Sequence, residues 1–120
     1  MHITNSEQVT PIHSPHGEVV RELIGKAAGG GDQHSVAHIT LPPGTTSLKH
    51  YHPVVEESYY ILAGRGSLTL GAEKQTLAAG DAVAIPINVV HQIINDGPQP
   101  LTFIAVCAPP WTPDCSVFVD

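Results

Sequence analysis

The stretch from His50 to Ser58 reads HYHPVVEES, and it gathers two imidazoles and two carboxylates in a chain with few charges. In an extended segment, residues i and i+2 project from the same face. His50 and His52 therefore aim their rings at one point. Pro53 favours a strand end or turn just after them. If the chain then runs back beside the first strand, an acid at its start meets the histidine pair. Neighbouring residues face opposite ways, so only one of Glu56 and Glu57 joins. Imidazole nitrogen plus carboxylate oxygen is ligand chemistry for a divalent transition ion. A same-face His-x-His pair also arises by chance in strands, so a third ligand from a distant stretch is required. His91, set among apolar residues in INVVHQIIN, is the candidate. A histidine buried there must satisfy two ring nitrogens, and a metal satisfies one. His2, His13, His16, His34 and His38 have blander surroundings, at the terminus, in PIHSPHG, or on another strand.

The elements that must position these groups read as strands. No 3.6-residue apolar period is sustained, whereas short branched and aromatic runs recur. They are EVVRELI (18–24), HSVAHITL (34–41), ESYYILA (57–63), GSLTLG (66–71), AVAIP (82–86), VVHQIIN (89–95), LTFIAVCA (101–108) and SVFV (116–119). Turn clusters separate them: GRG, GAEK, AAGD, NDGPQP and APPWTPD. AAGGGD (27–32) lacks the Lys-Ser/Thr end of a phosphate loop and reads as a connector. Many short strands with Gly and Pro punctuation predict an all-β sandwich or barrel in one domain.

Composition narrows the function. Asp and Glu number 11 against 5 Lys and Arg, a net charge of −6, which leaves too few cations for a nucleic-acid face. No apolar run reaches the roughly 18 residues of a membrane helix. The start, MHITNSEQV, lacks the pattern of a secretory signal, so a cytoplasmic location is the expectation. Cys107 and Cys115 are expected as free thiols, with Cys107 a small buried group.

Two longer patterns make the sequence specific. Gly44, TTSLK, His50, Tyr51, His52, PVVE, Glu57, SYYILA and Gly64 run in order, and Gly80, DAVAI, Pro86, Ile87, Asn88, VV, His91, QII and Asn95 follow. Both resemble the two motifs of the cupin superfamily with their spacings intact. SPHGEVVREL, LPPG, EESYYILAGRG, GDAVAIP and CAPPWTPDCSVF further resemble small single-domain cupins. The register of the first motif selects Glu57 over Glu56. Asn88 stands where the family usually has glycine. Asparagine is the non-glycine residue that best tolerates positive φ, so the turn is expected to survive.

The resemblance implies a single jelly-roll β-barrel over 1–120, with a core at about 34–108 and terminal extensions packing on it, and commonly a homodimer. It also implies that His50, His52, Glu57 and His91 hold one divalent transition ion per chain: Fe, Mn, Ni, Co, Cu or Zn rather than Ca or Mg. Four protein ligands on an octahedral ion leave two positions for a small, oxygen-rich molecule. The expected function is a dioxygenase-like or Lewis-acid isomerase, cyclase or lyase activity; the alternative is a non-catalytic binding or sensing module. Strand alternation puts Tyr59 and Ile61 beside Glu57, and Ile93 and Asn95 beside His91, as candidate pocket residues. Tyr59 has two readings, a packed ring or a hydrogen-bond donor to the ligand, and Asn95 is expected to serve the NDGP turn. No free general base is evident, and the scarcity of cations argues against a phosphosugar substrate.

Overall fold

The computed structural model describes residues 1–120. Its elements are all strands: β1 (Ile12–His13), β2 (Val19–Ile24), β3 (Ser35–Leu41), β4 (His50–Tyr51), β5 (Glu56–Ala63), β6 (Arg65–Leu70), β7 (Glu73–Ala78), β8 (Ala82–Ile85), β9 (His91–Ile94), β10 (Leu101–Ala108) and β11 (Val117–Phe118). They form a six-stranded sheet in the order β1-β2-β3-β10-β5-β8 and a five-stranded sheet in the order β11-β4-β9-β6-β7. Every pairing is antiparallel, as expected of a jelly roll. The sheets face one another without closing into one hydrogen-bonded barrel, which corrects the expectation of a closed shell. The reason is that β8 and β7, at the sheet edges, each pair with one neighbour only.

The inward faces follow from sequence alternation. Along β5, Glu57, Tyr59 and Ile61 are buried while their neighbours are exposed. Along β10, Leu101, Phe103, Ala105 and Cys107 are buried. A core of Leu41, Tyr59, Ile61, Leu68, Leu77, Ile85, Ile93, Leu101, Phe103 and Ala105 fills the space between the sheets. Burial of such side chains contributes about 1.5–3 kcal/mol each before the entropy of ordering is set against it.

Two features pin one end of the sandwich. Asn95 is fully buried; its Nδ2 donates to the carbonyls of Leu41 and Gln99, both at 2.8 Å, and its Oδ1 accepts from the Gly97 N–H at 3.0 Å. It thus serves the turn, as the sequence suggests, and also ties the end of β3 to the segment leaving β9. Gly64 carries the chain from β5 in one sheet to β6 in the other at φ 79°. A Cβ there would stand 2.4 Å from the carbonyl oxygen of Pro100, which is backbone and cannot step aside. Gly64→Ala is therefore expected to destabilise the fold by roughly 2–4 kcal/mol. Thermal denaturation checks it: a melting temperature within a degree of the parent would show that the crossover does not need glycine.

Strand β7 was not anticipated. The sequence reading placed a turn at GAEK, yet Glu73 already begins a six-residue strand in which Leu77 alone is buried. An edge strand with one apolar anchor lacks the alternation that betrays a half-buried strand. The two-residue β1 carries even less pattern.

Candidate metal centre and its cavity

His50 lies on β4 and His91 on β9, directly opposite each other in the ladder. Glu57 enters from β5 in the facing sheet, and His52 lies just past β4. The turn beneath them is fixed by Asn88, whose N–H donates to the His52 carbonyl at 2.9 Å. Asn88 has φ 66°, the left-handed conformation for which asparagine was the expected tolerable substitute.

One ligating atom from each of His50, His52, Glu57 and His91 lies within 4.8 Å of all the others. His52, His91 and Glu57 are buried and His50 is half-buried. All three rings are anchored through Nδ1. His50 donates to the Leu48 carbonyl at 2.7 Å and His91 to the Val89 carbonyl at 3.1 Å, in each case two residues upstream. His52 Nδ1 meets the Cys115 carbonyl and the Ser116 hydroxyl, both at 3.2 Å. An N–H committed at Nδ1 leaves Nε2 as the lone-pair nitrogen facing inward, the tautomer a metal requires.

The carboxylate is divided in the same way. Glu57 Oε1 lies 3.3 Å from His52 Nε2 and 3.4 Å from His91 Nε2. Its Oε2 accepts from the Cys107 thiol at 3.3 Å. Burial and the adjacent Glu57 charge push the Cys107 thiol up, so it stays a donor and not a thiolate ligand. Cys107 and Cys115 are both free.

The donor set fits a divalent cation on two grounds. His91 Nε2 is buried with no hydrogen-bond partner, an orphan of the kind native interiors avoid. Lone pairs of nitrogen and oxygen also face one another at short range, which only a proton or a metal makes favourable. Without a metal a proton takes that role. Burial works against the His52 imidazolium, but its contacts with Cys115 and Glu57 win and raise it to about 10. Burial likewise raises Glu57, and the His52 hydrogen bond together with the two neighbouring imidazoles overcomes this and holds it at about 2. Both shifts express one ion pair. His50 is lowered to about 4, chiefly by burial.

A cavity of about 250 Å³ adjoins the cluster between the sheets. His50, His52, Glu57, Tyr59 and Ile93 reach its wall. Ile61 does not: it sits in the core, one alternation step further along β5 than the cavity extends. Tyr59 packs on Phe103 with ring centroids 4.6 Å apart, and burial raises its phenol well above the ordinary range. Its ring thus packs in the core while also forming part of the cavity wall.

Sequence reasoning missed the part of the wall built from the first strands. Ser14, His16, Glu18, Val20 and Glu22 line it, with Ser35 and Ala37 of β3 beside them. The signal was present in EVVRELI, where alternation puts Glu18, Val20 and Glu22 on one face. It also missed the C-terminal segment, which anchors His52 through Cys115 and Ser116.

The comparisons agree with this geometry. A family model described as cupin domain matches residues 37–107, and the chain belongs to the cupin family. It is 36% identical over 109 residues to the uncharacterized protein MJ1618 of Methanocaldococcus jannaschii, covering 91% of this chain and 87% of that one. It is 31% identical over 110 residues to the oxalate-binding protein of Thermotoga maritima, covering 87% and 91%. Among solved structures, one described as a predicted oxalate decarboxylase from Thermotoga maritima superposes with a TM-score of 0.81 at 27% identity, over 89% of this chain and 98% of that one. KdgF from a Halomonas species reaches 0.81 at 17% identity, over 95% and 97%, which is a likeness of fold. No helix is long and apolar enough to cross a membrane.

Proposed function

We propose that His50, His52, Glu57 and His91 hold one divalent transition ion, and that the chain is a metalloenzyme acting on a small oxygen-donor molecule bound in the adjoining cavity. The observation that carries this reading is the convergence of three Nδ1-anchored imidazoles and one carboxylate beside a concave, mostly apolar space. Such a space, with a few polar groups at one end, is the usual form of a small-molecule site. When bound, the ion would supply Lewis acidity or a redox couple to a coordinated molecule.

The chain's own residues do the rest. The three anchored rings and the thiol-bound carboxylate fix the donor positions in advance, so little ordering remains to be done on binding. Phe103, Ile93, Tyr59 and Ala105 exclude water from the cavity wall. Glu22 is a carboxyl group outside the ligand set that faces the same cavity, and burial, with a contribution from the Glu57 charge, raises it above the ordinary carboxylate range. A carboxyl so placed is suited to exchange protons with a ligand.

A second reading, a binding module without turnover, is favoured by the relative described as an oxalate-binding protein. One experiment separates the two. The purified chain is reloaded with iron, manganese or nickel and offered a panel of diketones, catechols, hydroxy acids and oxalate. Oxygen uptake and product formation are then followed. We expect turnover of at least one oxygen-donor substrate that disappears on metal removal; saturable binding with no turnover across the panel would leave the module reading standing instead.

A further inference from the structure

The cavity has two chemically different poles. One is the edge of the candidate metal cluster that His50, His52 and Glu57 present to the cavity. The other is Glu22 on β2. In register, Glu22 stands opposite Ala37, Ala37 opposite Ala105, and Ala105 opposite Tyr59. Three strand steps therefore separate the backbones of Glu22 and Tyr59, about 14 Å along a curved sheet. Between the poles the wall is apolar: Val20, Ala37, Ile39, Ala105 and Phe103.

Glu22 is only 8% exposed and lines the cavity, yet its carboxylate takes no hydrogen bond or ion pair from another side chain. Its oxygens open into an apolar-walled cavity with no side chain donating to them, which leaves them free to accept from whatever occupies that space. Glu18, just before β2 and also at the cavity wall, is already engaged by His16 at 2.7 Å. No lysine or arginine reaches the cavity wall. The far end is therefore an acceptor waiting for a donor and repels a second anionic group.

We propose that the ligand of this cavity is a two-ended molecule, with an oxygen-donor head for the ion and, across an apolar spacer, a hydroxyl or ammonium group that donates to Glu22. This rests on the metal-centre reading above and sets the ligand class apart from dianions carrying a carboxylate at each end. Burial raises Glu22 above the ordinary carboxylate range, and a donor at the far end offsets that penalty, more strongly when it is an ammonium.

The test is calorimetric titration of the nickel-loaded chain with matched probes: 5-aminopentanoate, 5-hydroxypentanoate, pentanoate and glutarate. Metal content is measured in the same samples. The amino and hydroxy probes are expected to bind roughly tenfold or more tightly than pentanoate, and glutarate most weakly, from one charge-assisted hydrogen bond gained or a like-charge contact imposed. Glu22→Gln is expected to keep one ion per chain, abolish the advantage of the amino probe and lift the penalty on glutarate. Glu22→Met is expected to remove the preference for the hydroxy probe as well. Glutarate binding as well as the amino probe, or an unchanged ranking in Glu22→Gln, overturns the proposal while leaving the metal centre intact. Absence of nickel in the parent chain overturns both. A Glu22→Gln chain that fails to fold is replaced by Glu22→Met with the same readout.

Discussion

His52→Ala and His91→Ala each purify with a small fraction of one ion per chain, where the parent carries close to one after the same metal loading and gel filtration. Each ring supplies one of four donors, and its neighbours cannot move in to replace it, because each is tied through Nδ1 to a fixed carbonyl. Outer partners of metal ligands are commonly worth 10–100-fold in affinity, so loss of a ligand itself should exceed roughly 100-fold. Lys49→Ala is the control: its side chain is exposed and adjacent in sequence to His50 without belonging to the cluster. Elemental analysis gives the stoichiometry, and circular dichroism confirms that each variant has folded. Parental metal content in both histidine variants would place the ion somewhere else.

Metal affinity should also climb with pH. In the metal-free chain His52 is held protonated up to about pH 10 by Cys115 and Glu57, against the opposing effect of burial. An ion needs that nitrogen's lone pair, so each ion bound between pH 7 and 9 releases about one proton. The apparent association constant then rises about tenfold per pH unit, or about 1.4 kcal/mol. The metal-free chain behaves oppositely. His52, raised above its unfolded value, contributes stability that is complete below pH 6.5 and is lost as pH climbs toward about 10. Glu57, depressed to about 2, contributes above pH 4.5 and loses its contribution only as pH falls through about 2. His50, depressed to about 4, withdraws stability as pH falls from 6.5 toward 4, since the unfolded chain takes up its proton first. At fixed free metal, the gap in melting temperature between loaded and metal-free protein therefore widens from pH 7 to 9. A gap independent of pH across that window would show that His52 is not protonated before the ion arrives.

Much of this site is legible in the sequence because its geometry is that of a strand. His50 and His52 differ by two, Glu57 begins a strand with strict alternation, and His91 stands alone in an apolar run. Two-residue periodicity carries each of these observations. The choice of Glu57 over Glu56 needed the family register, since alternation alone leaves both open. What stayed hidden involves partners remote in sequence. Nothing local in CSVF indicates that Cys115 and Ser116 hold His52, and alternation in EVVRELI puts Glu22 on a face with Val20 without showing that this face lines a cavity. Ile61 was assigned to the pocket because alternation gives the face of a strand and not how far the pocket runs along it. The open arrangement of the sheets was equally invisible, because edge pairing is decided by tertiary geometry and not by pattern.

The cavity wall has an uneven origin. All four candidate ligands fall within the span matched by the family description, residues 37–107. Ile12, Ser14, His16, Glu18, Val20, Glu22, Ser35, Trp111, Ser116 and Phe118 also line the cavity, and all of them lie outside that span. Grip on the ion is thus written within that span, whereas the cavity wall draws both on it and on the two ends of the chain. Relatives could exchange their ends, keep the same four donors and accept unrelated molecules, so a shared cupin core is a poor guide to which compound enters.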